Sequence, residues 1–161
     1  MKVQVMRPKN GVGKDIFMVR GAVLKYKNFS GKNGKFPGTR SVNVLVDEDD
    51  KNMLLSKGLR VNERTNPHTN EVEYTVRLNV KYNPNGGPKI FQRTGNNVDG
   101  VLLDDVTVDG LDGVTISSAD VAWTYSFGSG NPVAYLREMQ VTIVPSIFAP
   151  DANDYYMETN D

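Results

Sequence analysis

Residues 72 to 82 read VEYTVRLNVKY, and their period decides the class of fold. Val72, Tyr74, Val76, Leu78, Val80 and Tyr82 alternate strictly with Glu73, Thr75, Arg77, Asn79 and Lys81. Successive side chains of an extended chain point to opposite faces, so this is a strand with one buried and one wet face. NPNGGP at 83 to 88 supplies turn residues, and KIFQR at 89 to 93 resumes an extended pattern. The two runs are therefore expected to pair as a hairpin, bringing Arg77, Lys81, Lys89 and Arg93 near one another.

The same signal recurs on both sides. Residues 16 to 26 and 41 to 46 are rich in β-formers. VAWTYSF at 121 to 127 and VAYLREMQVTIV at 133 to 144 flank GSGNP, which predicts a second hairpin with a glycine-rich turn. Its alternation groups Val121, Trp123, Tyr125 and Phe127 on one face, and Val133, Tyr135, Arg137, Met139, Val141 and Ile143 on one face. One helix is expected: Asp47 caps it, Glu48, Asp49 and Asp50 fill the first turn where the helix dipole favours negative charge, and Gly58 ends it. Met53, Leu54 and Lys57 would line its inward and flanking faces. Six or more short strands with about one helix predict an all-β domain, a small antiparallel barrel or sandwich. Among these, the five-stranded Greek-key OB-fold barrel binds oligonucleotides on its strand 2 and 3 face with two loops.

The chain has 161 residues, enough for one domain with a single core. It contains no cysteine, which excludes disulfides, thiolate metal ligands and a cysteine nucleophile. MKVQVMRPKNGVGKD at the amino end lacks the apolar run of a secretory signal, and no stretch has the length of a membrane span. A soluble, intracellular protein without membrane partners is expected. No internal repeat is found.

Nineteen basic and nineteen acidic side chains cancel, but they are segregated. Residues 1 to 46 carry ten Lys and Arg against Asp15 alone, and residues 47 to 161 carry nine basic against eighteen acidic side chains. Either a basic binding surface coexists with acids that face elsewhere or compete for it, or folding re-mixes the two signs in space.

Residues 25 to 36, KYKNFSGKNGKF, concentrate four lysines, three aromatics and two glycines with no acid. Single-strand binders combine a cationic groove that tracks phosphates with rings on which bases stack. Phe29 and Phe36 are the candidate stackers, and Lys25, Lys27, Lys32, Lys35 and Arg40 the candidate phosphate contacts. The alternative is that Tyr26 and one phenylalanine fold back as anchors of the loop while the lysines are solvated.

NFSGKNGKF, then Arg40 and SVNVLVD, a short acidic helix ending in KGLRV, YTVRLNVKY and AYLREMQVTI follow in order. In this order the chain resembles a family of bacteriophage single-stranded DNA-binding proteins with an OB fold, from about Gly21 to Val144. The most specific pieces are the Asn-Phe-x-Gly-Lys-x-Gly-x-aromatic loop at 28 to 36 and the Ala-Tyr-Leu-basic run at 134 to 137. The resemblance implies a phage-encoded replication or recombination accessory that coats exposed strands in the cytoplasm of the bacterial host, with no catalytic residue and no cofactor. Carried over by position, Phe29, Lys32, Phe36, Arg40, Tyr135 and Arg137 meet DNA. Arg77, Lys81 and Arg93 join the phosphate contacts through the first hairpin. The chain departs from the family in SSADVAW, where an aspartate precedes Trp123, and in having no Lys or Arg from Thr94 to Leu136. Trp123 is left open between core and stacking.

The carboxyl end, FAPDANDYYMETND, has four acids and no base. A domain over 1 to 147 followed by a flexible acidic tail over 148 to 161 is expected. Asp154, Tyr155, Tyr156 and Glu158 would dock replication or recombination proteins, such a tail would cover the basic groove, or the segment is a plain solubilising terminus.

Enzymatic readings find little support. His68, the one histidine, lies in the polar ERTNPHTNE and offers neither a zinc set nor a positioned base. Asp104, Asp105, Asp109 and Asp112 in LLDDVTVDGLDG do not fit a calcium loop and read as turn formers and caps. GVGKD at 11 to 15 lacks phosphate-loop spacing. Two further classes remain open: a sugar-binding or virion β-domain, against which the purely cationic loop argues, and a single-stranded RNA binder, since stacking and phosphate contacts tolerate either sugar.

Overall fold

In a computed structural model, the described residues are 2 to 33, 37 to 84, 86 to 94, 100 to 128 and 130 to 144. They form strands β1 (Gln4–Met6), β2 (Ile16–Ala22), β3 (Leu24–Asn28) and β4 (Ser41–Val46), helix α1 (Glu48–Ser56), and strands β5 (Asn62–Thr65), β6 (Val72–Asn79), β7 (Lys89–Thr94) and β8 (Val101–Leu103). A 3-10 helix (Thr107–Gly113), β9 (Ile116–Ser126) and β10 (Val133–Ile143) complete the order. All ten strands belong to one sheet with the order β1-β2-β9-β10-β6-β4-β3, while β5 adds to β6, β7 to β10 and β8 to β7.

The predicted strand over residues 16 to 26 is two strands separated by Val23 alone. An extra residue between Val19 and Ala22 breaks the ladder with β9, and Gly21 takes φ +64 there. Its N–H donates to Asp120 Oδ1 at 2.9 Å, so the aspartate that departs from the family pattern caps this bulge. The chain then leaves β9 and pairs with β4. The sheet path thus runs from β1 and β2 to β3, which follows β2 directly in the chain, and one hydrophobic cluster draws residues from strands along the whole path. Trp123, Leu78, Ile90 and Met139 are fully buried within it, which places Trp123 in the core rather than in a stacking position.

The all-β class and the β9–β10 hairpin are as expected, and the described residues place ten strands in one sheet, more than a five-stranded barrel alone would have. The expected hairpin of 72 to 82 with 89 to 93 does not form. Both edges of β6 are occupied: β4 pairs with residues 74 to 79 on one side, and β5 at 72 to 75 with β10 at 78 and 79 on the other. β7 instead lies parallel to β10, from Lys89↔Glu138 to Ile143↔Thr94, and antiparallel to β8.

The expected single face of β10 is also broken. Leu136 pairs with Trp123 and Glu138 with Ala122, leaving Arg137 as an extra residue in a bulge. Before it Ala134 and Leu136 are buried, and after it Met139 and Val141 are. Tyr135 and Arg137 consequently lie outside the core.

Helix α1 follows its sequence signals. Asp47 Oδ1 accepts from Asp50 N–H at 2.8 Å, and Gly58 has φ +76. Leu59 N–H reaches Leu54 O at 3.0 Å and Gly58 N–H reaches Leu55 O at 3.0 Å, a Schellman ending. Leu54 is buried and Met53 packs against the core, whereas Lys57 is exposed.

Candidate nucleic-acid interface

The basic loop between β3 and β4 is stitched down. Phe29 is fully buried, contrary to its expected role as an exposed stacker. Its N–H and that of Ser30 donate to the two carboxylate oxygens of Asp112, at 2.7 and 3.0 Å, drawing the chain onto the 3-10 helix. A bulge at Tyr26, φ +52, turns Lys27 the same way. Lys27 Nζ donates to Leu111 O at 3.0 Å and to Val114 O, satisfying carbonyls at the end of that helix. The Asn28 amide donates to Thr39 O at 3.1 Å and to Asn33 O, while Asn28 Oδ1 accepts from Asn33 N–H. Gly31, φ +72, packs so closely on Gly38 that a Cβ there would lie 3.1 Å from its carbonyl carbon. Tyr26 stays exposed, with the Arg64 guanidinium 5.1 Å from its ring centroid.

Most of the expected phosphate contacts on and beside this loop already have partners. Lys25 lies 3.7 Å from Glu73, and Arg93 3.5 Å from Asp120. Arg40 Nη1 lies 3.2 Å from Asp109 Oδ1, as an ion pair without hydrogen-bond alignment, and its guanidinium covers the ring of Tyr82. Burial pushes the Tyr82 phenol up, with Arg40 opposing. Folding has thus paired cations from the basic first part of the chain with acids from the second. Asp104 of the same segment accepts from Thr107 N–H and Val106 N–H, bonds that hold its carboxyl below the ordinary range, the Thr107 bond most. Lys32 is exposed; Lys35, Phe36 and the tail residues Asp154, Tyr155, Tyr156 and Glu158 lie outside the described residues.

The outer face of the sheet assembles what the loop does not. Lys25, Asn43 and Arg77 share one row across β3, β4 and β6; Ser41, Asn79 and Tyr135 share the next across β4, β6 and β10. Beyond Tyr135 opens a groove of about 840 Å³ between β2, β9, β10 and the 83 to 88 turn. Lys14, Lys81, Lys89 and Arg137 line it, with Tyr135 as its ring and Glu138, opposite Lys89, as its acid. The bulge aims Arg137 outward here. The turn is closed by Asn83 and Gly86, and Gly87 passes so near Tyr82 that a Cβ would meet the ring at 2.7 Å.

A second groove of about 440 Å³ lies where β6 changes partner from β5 to β10. Arg60, Asn62, Arg77 and Asn79 line it without an acid. A third, smaller pocket of about 300 Å³ lies between β2, the end of α1 and the β9–β10 turn. Tyr125, buried at its floor, has its hydroxyl near the Trp123 indole N–H but short of full hydrogen-bond alignment, and burial, opposed by that N–H, pushes its pKa up to about 12.

Arg77, Lys81, Tyr135 and Arg137 therefore sit where the sequence suggested, on one outward surface. Lys14 and Arg60 were missed, and Lys89, expected near Lys81, was not counted among the phosphate contacts. They lie at strand or loop ends far apart in the chain, and no motif links them.

No protein-family model matches the chain, and no curated protein matches it. Among solved structures, the single-stranded DNA-binding protein from bacteriophage Enc34 is similar with a TM-score of 0.50 at 9% identity, over 93% of this chain and 94% of that one. The likeness is one of fold. Its C-terminal truncation gives a TM-score of 0.46 at 10% identity, over 90% of this chain and 97% of that one. Its complex with single-stranded DNA gives 0.45 at 12% identity, over 83% and 89%. The resemblance read from the order of loop and strands is met at the level of architecture.

Proposed function

We propose that the protein binds single-stranded DNA without regard to sequence, along the outer face of the sheet. The observation that supports this reading is the 840 Å³ groove, where Lys14, Lys81, Lys89 and Arg137 surround the half-buried ring of Tyr135. Cations at the rim engage phosphates, which carry no base information, and the ring offers a surface on which any base stacks. Arg60 and Arg77 extend the path along β6, and Lys32 adds a cation from the loop. Lys25, Arg40 and Arg93 join only where phosphate displaces their acids. In this reading the protein coats exposed strands during phage DNA replication or recombination in the host cytoplasm, performs no chemistry, and uses its acidic tail to engage replication or recombination proteins.

The test is fluorescence anisotropy of a labelled oligothymidine at two salt concentrations, with duplex DNA of equal length as competitor. Salt-sensitive binding that duplex fails to displace is expected. Each groove cation changed to alanine lowers the log–log salt slope by about 0.7. Absence of binding at low salt, or ready displacement by duplex, would overturn the reading.

A further inference from the structure

Phe127 is 61% exposed, although Trp123 and Tyr125 just before it are buried. It stands over the 300 Å³ pocket, whose apolar wall is completed by Phe17, Leu59 and Tyr125. Phe17 meets the Tyr125 ring edge-on at 4.9 Å, which fixes the floor. Lys14 and Lys57 also line the pocket, and its acid, Asp15, lies 3.8 Å from the Arg7 guanidinium. The pocket shares one lining residue with each cationic groove. Lys14 also lines the larger groove, and Tyr125 also lines the one holding Arg60 and Arg77.

We infer that this pocket takes one nucleobase turned out of the bound strand. The base stacks on Phe127, its flanking phosphates meet Lys14 and Lys57, and the Tyr125 hydroxyl bonds to its edge. Three features point to this ligand class. An exposed ring beside two lysines matches a base with its phosphates. The Trp123 indole N–H approaches the Tyr125 oxygen without full hydrogen-bond alignment, and the phenol proton has no acceptor among the described residues, so an acceptor on a base edge would complete it. A pocket that shares Lys14 with one cationic groove and Tyr125 with the other lies beside the path of a strand that follows them. The grooves then hold phosphates without discrimination, while this one position acquires a base preference. The inference rests on the single-strand reading and goes beyond it.

The test uses the full chain and the shortest oligothymidine that it binds. Phe127→Ala is expected to weaken binding about five- to 150-fold with an unchanged salt slope, the range of one lost base–aromatic stack. Phe127→Trp restores binding. A single abasic sugar placed through the oligonucleotide is expected to cost affinity at one position in the wild type and to cost nothing further there in Phe127→Ala, a coupling that a general structural defect would not give. Tyr125→Phe is expected to change the ranking among dA, dC and dT oligomers. If the wild type binds with steep salt dependence but Phe127→Ala binds equally well, the pocket inference falls and the groove reading stands. If the wild type binds no single strand, both fall.

Discussion

Phe29 and Phe127 occupy each other's expected environment. Phe29, among lysines and glycines, is sealed in the core, while Phe127, at the end of an apolar alternation, faces solvent. Phe29→Ala is expected to destabilise the fold by about 3 to 5 kcal/mol in a urea melt, and Phe127→Ala by no more than about 0.5 kcal/mol. The loop composition hid this because the groups that hold Phe29, the carboxylate oxygens of Asp112, lie 83 and 82 residues away from the N–H groups they accept. A second residue-scale prediction concerns Asp50, whose carboxylate accepts from Val3 N–H at 2.9 Å while almost fully buried. Desolvation, first among the causes, raises its pKa above 3.8. The folded chain therefore holds this proton more tightly than the unfolded chain does. The stabilisation is complete below about pH 3.8 and is lost as pH rises through the raised value. Asp47 has the opposite sign, its pKa lowered chiefly by the Asp50 N–H, so its contribution is present above pH 3.8 and lost as pH falls through the lowered value. Asp50→Asn retains an acceptor for Val3. It is expected to raise the thermal midpoint at pH 7, with the gain shrinking to nothing in acid.

Elements whose signals are local were legible, and those decided by competition were not. Helix α1 announces both ends through side chains within one turn, and β6 announces itself by period. The fate of β7 depended on which strands already held the edges of β6, information that no window around residues 89 to 93 contains. The bulge at Arg137 was likewise invisible, since REM reads as continued alternation, yet it separates the outward Tyr135 from the inward Met139. The outward placement of Arg77, Lys81 and Tyr135 was legible because outward positions of a strand follow from period. That of Lys14, Lys89 and Arg60 depended on how strand ends converge. Deleting Arg137 closes the ladder while leaving Ala134, Leu136, Met139 and Val141 in one regular inward series. The deletion is expected to fold, with a preserved near-ultraviolet circular dichroism spectrum, and to lower the salt slope of DNA binding by about 0.7.

At the scale of the whole molecule, the segregated charges are partly re-mixed by folding. Lys25 and Arg40 find acids from the second part of the chain, Arg93 finds one within it, and Lys14, Lys81, Lys89, Arg137, Arg60 and Arg77 line grooves. The partly exposed pairs of Lys25 and Arg93 contribute about 0 to 1 kcal/mol each, whereas phosphate contacts on one strand act together. Raising salt from about 50 to 200 mM is therefore expected to leave the melting midpoint nearly unchanged while weakening DNA binding by orders of magnitude. Differential scanning calorimetry beside anisotropy titration compares the two directly.

The place of β10 in the sheet carries a consequence for biosynthesis. This strand pairs with β9, β6 and β7, yet it is the last of the ten to leave the ribosome. Until it emerges, those three strands each keep an open edge, and the nascent chain has no way to close its sheet. Closing these three edges is expected to wait for β10, and a chain cut before residue 133 leaves three strand edges to find partners in other chains.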